Sequence, residues 1–86
     1  MMNYDVWTLE VTDRQTFIQF VEKLRADLLT NPDGWENNQL DRFLEALGSY
    51  AKDIQGVYDN TGQDVKADEP SWQNFANLLK GAAIYE

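Results

Sequence analysis

The sequence predicts an all-α fold: a small bundle of three main helices, over about 13–29, 37–55 and 71–84, behind an extended N-terminal arm or short strand. Three observations point there. Apolar residues recur at helical spacing in three separate runs, turn-forming residues separate those runs, and no long stretch alternates apolar with polar residues. With 86 residues, 43% of them hydrophobic, the chain makes one helical domain, 1–86, with a modest core.

The first eleven residues contain Tyr4, Val6, Trp7, Leu9 and Val11, which alternate only in part. An extended arm packed on the helices, a short strand and an extension of the first helix all fit that pattern. Thr12-Asp13-Arg14-Gln15 then reads as a capping box, with Thr12 as the cap and Gln15 reaching back. Phe17, Phe20, Val21, Leu24 and Leu28 follow on one helical face, until Pro32 and Gly34 mark a turn.

Asn37 or Asn38 is the expected cap of the second helix. Its stripe is Leu40, Phe43, Leu44, Leu47, Ala51 and Ile54, and it ends near Gly56. Gly48 lies inside this helix, where glycine costs about 1 kcal/mol relative to alanine, so it marks a candidate close helix–helix approach. Residues 56–70 lack helical periodicity and read as a loop, with a turn at Asp59-Asn60-Thr61-Gly62. Ser71 caps the last helix, whose expected buried stripe is Trp72, Phe75, Ala76, Leu79 and Ala83. Gln73, Asn74, Asn77 and Lys80 are expected to face outward, and Gly81 is a second candidate close contact.

Several blocks resemble a family of small uncharacterised bacterial proteins, a domain of unknown function found as a stand-alone chain. They are Trp35-Glu36-Asn37, the Leu40-x-x-Phe43-Leu44-x-x-Leu47 run, Ser71-Trp72-x-x-Phe75-Ala76-x-x-Leu79, and the ending Ala82-Ala83-x-Tyr85-Glu86. The resemblance runs from about residue 12 to the C-terminus. It implies a small helical fold, assigns no activity and carries no catalytic residue onto these positions.

Composition removes whole classes of function. With no Cys and no His, disulfides, thiolate nucleophiles, Cys/His zinc sites and Ser-His-Asp catalysis are all excluded. Seven basic residues against fifteen acidic ones give a net charge of −8, which disfavours direct binding to nucleic acid or to an anionic membrane. Neither a signal peptide nor a membrane span is visible, so the expected location is the cytoplasm. The Asp59–Asp64 segment fails the calcium-loop pattern, because Thr61 and Asp64 stand where a ligand and a glycine are needed. The carboxylates fall on expected exposed faces or loops, and a small bundle has little room for a substrate cleft. No enzyme activity, cofactor or metal is expected.

Between Asp33 and Glu69 lie nine acidic residues and three basic ones. Such a face is either solvated surface or a docking surface for a basic protein. Tyr50 and Tyr58 lie near Asp53 and Asp59, a pairing that offers an apolar anchor with a negative rim. The candidate partner-binding set is therefore Asp41, Glu45, Tyr50, Asp53, Tyr58, Asp59, Asp64, Asp68 and Glu69. The sharpest reading is an acidic immunity or antitoxin-like protein that neutralises a basic, nuclease-type toxin. The alternative is an accessory or adaptor domain that recognises its partner through exposed aromatics. Monomer and homodimer both remain open.

Overall fold

The computed structural model describes residues 9–85. Three α-helices carry the fold: α1 (Arg14–Thr30), α2 (Leu40–Asn60) and α3 (Trp72–Ile84), with a 3-10 turn over Pro32–Gly34. No strand occurs among the described residues. Tyr4, Val6 and Trp7, on which the strand reading of the arm rests, lie outside them. Residues 9–12 form neither helix nor strand. Val11 is buried there, and its amide donates to the Gln73 side-chain carbonyl (2.9 Å).

The box at the start of α1 forms one residue later than its sequence suggests. Asp13, not Thr12, is the N-cap: its carboxylate accepts from the Thr16 amide (2.8 Å), and the Thr16 hydroxyl accepts from the Asp13 amide (3.1 Å). Thr16 thus takes the place expected of Gln15. A carboxylate suits that position because it satisfies an orphan amide and meets the positive end of the helix dipole. The bonds from the Thr16 amide and hydroxyl hold the Asp13 carboxyl below its ordinary value of 3.8.

α2 begins and ends later than expected. Gln39 is its N-cap and makes no side-chain cap bond. Asn37 and Asn38 are used elsewhere: the Asn37 side chain donates to the carbonyls of Ala82 and Tyr85, and that of Asn38 to the Pro32 carbonyl. At the other end, α2 passes Gly56 and continues to Asn60, because Tyr58, 2% exposed, anchors another turn in the interior. The helix stops at Gly62 (φ 72°), a left-handed conformation that glycine adopts without strain, and the Gln63 amide returns to the Tyr58 carbonyl (2.9 Å). The loop is therefore 61–71.

Ser71 caps α3 as its sequence predicts, accepting from the Asn74 amide (3.0 Å). α3 is the centre of the architecture: α1 and α2 both pack on it and make no comparable contact with each other. The core gathers Val11, Phe20, Leu24, Trp35, Ala76 and Ala83, with Leu9, Phe17, Leu28, Phe43 and Leu79 packed around it. Trp35 donates from its ring nitrogen to the Asp27 carboxylate (2.8 Å), and both side chains are buried.

The glycines divide. A Cβ on Gly48 would meet nothing within 4 Å, so no helix approaches closely there. A Cβ on Gly81 would lie 2.1 Å from the Tyr50 ring, so this glycine does admit a close contact.

The expected stripes are only partly covered. Ala76 and Ala83 are buried, but Trp72 and Phe75 keep substantial exposure, as do Val21, Leu40 and Leu44. Asn74, expected to face outward, is buried. One 13-residue helix cannot shield two longer ones, so part of each longer helix's apolar face stays open.

Candidate functional site

The gap between α1 and α2 is an apolar groove of about 460 Å³. Val21, Leu24 and Leu28 form one wall, Leu40 and Phe43 the other, and Trp35 and Leu79 also line it. Arg25 is the one charged residue in the lining. Leu40 in that wall is 73% exposed, and Leu44, one helical turn further along α2 and outside the lining, is 55% exposed. Single exposed leucines are ordinary, but an apolar groove with one exposed leucine in its wall and a second a turn away is the kind of apolar patch that marks interaction surfaces. Asp41 and Glu45 follow these leucines immediately on α2, and both are exposed.

A second hollow lies toward the other end of α2. This open cleft of about 680 Å³ is lined by Tyr50, Val57, Tyr58, Gln63, Asn77, Lys80, Gly81, Ile84 and Tyr85. The rings of Tyr50 and Tyr85 meet edge-on with centroids 5.2 Å apart. The Tyr85 hydroxyl donates to the Asp53 carboxylate, which pushes the phenol above its ordinary 10.0. Burial pushes Tyr50 up, with a smaller contribution from Tyr58. Burial also pushes the Lys80 ammonium below its ordinary 10.5. Two neutral phenols and a half-buried cation therefore line one cleft.

Under this cleft runs a polar network. The Tyr58 hydroxyl donates to Asn74 Oδ1 (2.6 Å) and accepts from Asn77 Nδ2 (3.0 Å). Asn74 Nδ2 in turn donates to the carbonyls of Glu69 (2.7 Å) and Lys66 (3.2 Å). Buried polar groups must find partners, and this one fastens the 61–71 loop to both α2 and α3.

The nine candidate partner-binding residues do not converge. Asp41 and Asp59 are eighteen residues apart on α2, about 27 Å at the helical rise. Asp41 and Glu45 stand beside the groove. Tyr50 and Asp53 belong to the cleft, Tyr50 half-buried and Asp53 exposed as the acceptor for Tyr85. Tyr58 lines the cleft but is buried, so it is not the exposed anchor expected of it. Asp59 is exposed and accepts from Gln55 (3.1 Å). Asp64 and Glu69 flank a shallow hollow along the loop, and Asp68 is exposed near them. Among the described residues, no three acidic side chains gather where a metal ion could be held.

Asn74, Asn77, Lys80 and Tyr85 carry the cleft and its network, and sequence reasoning placed the first three outward. The available signal was the presence of Asn74 and Asn77 on a helix that is otherwise largely apolar. No helix among the described residues is long and apolar enough to cross a membrane.

No curated protein and no solved structure matches the chain. The family described as "Family of unknown function (DUF7660)" matches residues 13–86, and the chain belongs to that family.

Proposed function

We propose that this member of the family is a protein-binding module that acts by docking rather than catalysis. Its docking face is the groove between α1 and α2, and its occupant is a basic segment of a partner protein. One observation carries this reading: Leu40 and Leu44 extend the groove's apolar lining into solvent, with Asp41 and Glu45 beside them. A partner helix can set apolar anchors into such a groove while its basic residues meet the acidic rim. The net charge of −8 steers a basic partner toward the chain and repels acidic ones.

The sharpest form is an immunity protein for a basic, nuclease-type toxin. Enzymes that hold nucleic acid are basic where they grip phosphate, and a small acidic protein can cover that surface. A second reading is favoured by the groove's nearly all-apolar lining: an adaptor whose partner is held mainly by apolar contacts.

Growth rescue tests the proposal. The chain is co-expressed with the product of the gene immediately upstream, in a host that the neighbour alone kills or stalls. Rescue with co-purification supports the immunity form. A harmless neighbour, or failed rescue at good expression, removes it and leaves the adaptor form. Salt then separates the two: an acidic-rim complex weakens as ionic strength rises, and an apolar one hardly changes.

A further inference from the structure

Lys80 lines the Tyr50–Tyr85 cleft with a half-buried ammonium that makes no ion pair or hydrogen bond to any described residue. The Tyr50 hydroxyl, from α2 in the same cleft, is likewise without a partner among the described residues. Neither atom is sealed off, since the one buried unpartnered side-chain atom among the described residues is the Asn31 amide nitrogen. The cleft shares no lining residue with the groove between α1 and α2.

The geometry points to this cleft as a binding site for a small organic monocarboxylate with an apolar body. Lys80 and Tyr50 offer two donors to one carboxylate, and a charge-assisted bond of this kind is stronger than a neutral one. Val57, Ile84 and the rings of Tyr50 and Tyr85 offer apolar surface to the rest of the ligand. The volume falls in the range of small-molecule sites, which pair mostly apolar walls with a few placed polar groups.

The charges around the cleft narrow the class. Asp53 stands at its edge, held by the Tyr85 hydroxyl, and the chain as a whole carries −8. That field opposes phosphate and nucleotides more than it opposes a single carboxylate. Of the neighbouring amides, Asn77 donates one N–H to Tyr58 and accepts from Gln73 (2.9 Å), Gln63 donates one N–H to the Thr61 hydroxyl (2.8 Å), and both are uncharged. They shape the pocket, and the charge of the ligand falls to Lys80 and Tyr50. Burial has lowered the ammonium's pKa, so an anion that pairs with it relieves a cost the free protein carries.

The test is an amide-resolved NMR titration of the full chain with phenylacetate, phenylacetamide and inorganic phosphate. Phenylacetate is expected to shift the amides of Val57, Gly81 and Ile84 saturably at millimolar concentrations. Phenylacetamide, the neutral isostere, binds about tenfold more weakly or worse, and phosphate produces no saturable shift there. Lys80→Met weakens phenylacetate by about tenfold or more, and Tyr50→Phe, which keeps the ring, weakens it by a few-fold. Unchanged spectra outside the cleft confirm that each variant folds. The proposal is overturned if phenylacetate gives no saturable shift at these amides, if phenylacetamide or phosphate binds equally well, or if Lys80→Met leaves the affinity unchanged.

Discussion

Two glycine-to-alanine substitutions in the same bundle are expected to act in opposite directions. At Gly81 the new Cβ would lie 2.1 Å from Tyr50 Cε2 and 2.4 Å from both Cδ2 and Cζ. Carbon atoms rest about 3.5–4.0 Å apart, so the ring must retreat by about 1.5 Å. Its retreat breaks the edge-on contact with Tyr85, worth about 0.5–1.5 kcal/mol, and strains a packed site at about 1–3 kcal/mol. Better helix propensity returns about 0.8–1 kcal/mol. The net expectation for Gly81→Ala is a loss of about 0.5–3.5 kcal/mol. At Gly48 the Cβ meets nothing within 4 Å, so only the propensity gain remains. Urea unfolding should therefore move the midpoint down for Gly81→Ala and up for Gly48→Ala, with unchanged slopes. In a domain this small each 1 kcal/mol moves Tm by about 4–8 °C. Adding Gly81→Ala to a Tyr50→Ala background should turn the loss into a gain. If Gly81→Ala stabilises the wild-type chain as much as Gly48→Ala does, the ring does not lie on α3 as described.

Three further outcomes follow from the interior. Trp35→Phe leaves the buried Asp27 carboxylate one hydrogen bond short, and urea unfolding should show a loss of about 1.5–3 kcal/mol beyond the effect of the smaller ring. Tyr58→Phe leaves Asn74 Oδ1 without its donor and should cost about 1–3 kcal/mol, with faster amide exchange in the 61–71 loop than in α1. Burial depresses the folded pKa of Lys80 below 10.5, so its charge costs no stability above 10.5 and the penalty is full once pH has fallen through the folded value. Thermal melts should accordingly find Lys80→Met more stable than wild type at neutral pH, with the advantage shrinking as pH rises toward 10.5.

Much of the fold could be read from the residues, because helical spacing and caps are local signals. The three helices and the Ser71 cap follow from short stretches of chain. The departures arose where a distant partner decided the outcome. Asn37 gave up the expected cap role because the carbonyls of Ala82 and Tyr85 needed a donor. α2 ran past Gly56 because Tyr58 found Asn74 and Asn77 across the bundle. Leu40 and Leu44 sit on the expected stripe of α2 but are exposed, and periodicity alone does not reveal that α1 and α2 fail to meet. Lys80 and Asn74 read as solvent-facing because a polar residue on a helix usually is. Their burial follows from the central position of α3, which only the packing discloses.

The claim that the α1–α2 groove is the docking face is tested most directly by the affinity of the paired variant Leu40→Asp/Leu44→Asp for the partner that co-purifies in the rescue experiment. Both side chains are largely exposed, so the free protein should fold as before. Removing two apolar anchors and adding charge should weaken binding by about a hundredfold or more, as truncation of central interface residues does. Lys80→Met, at the other hollow, should bind the partner as the wild type does. Unchanged affinity for the leucine pair would contradict the account and move the docking face elsewhere on the bundle.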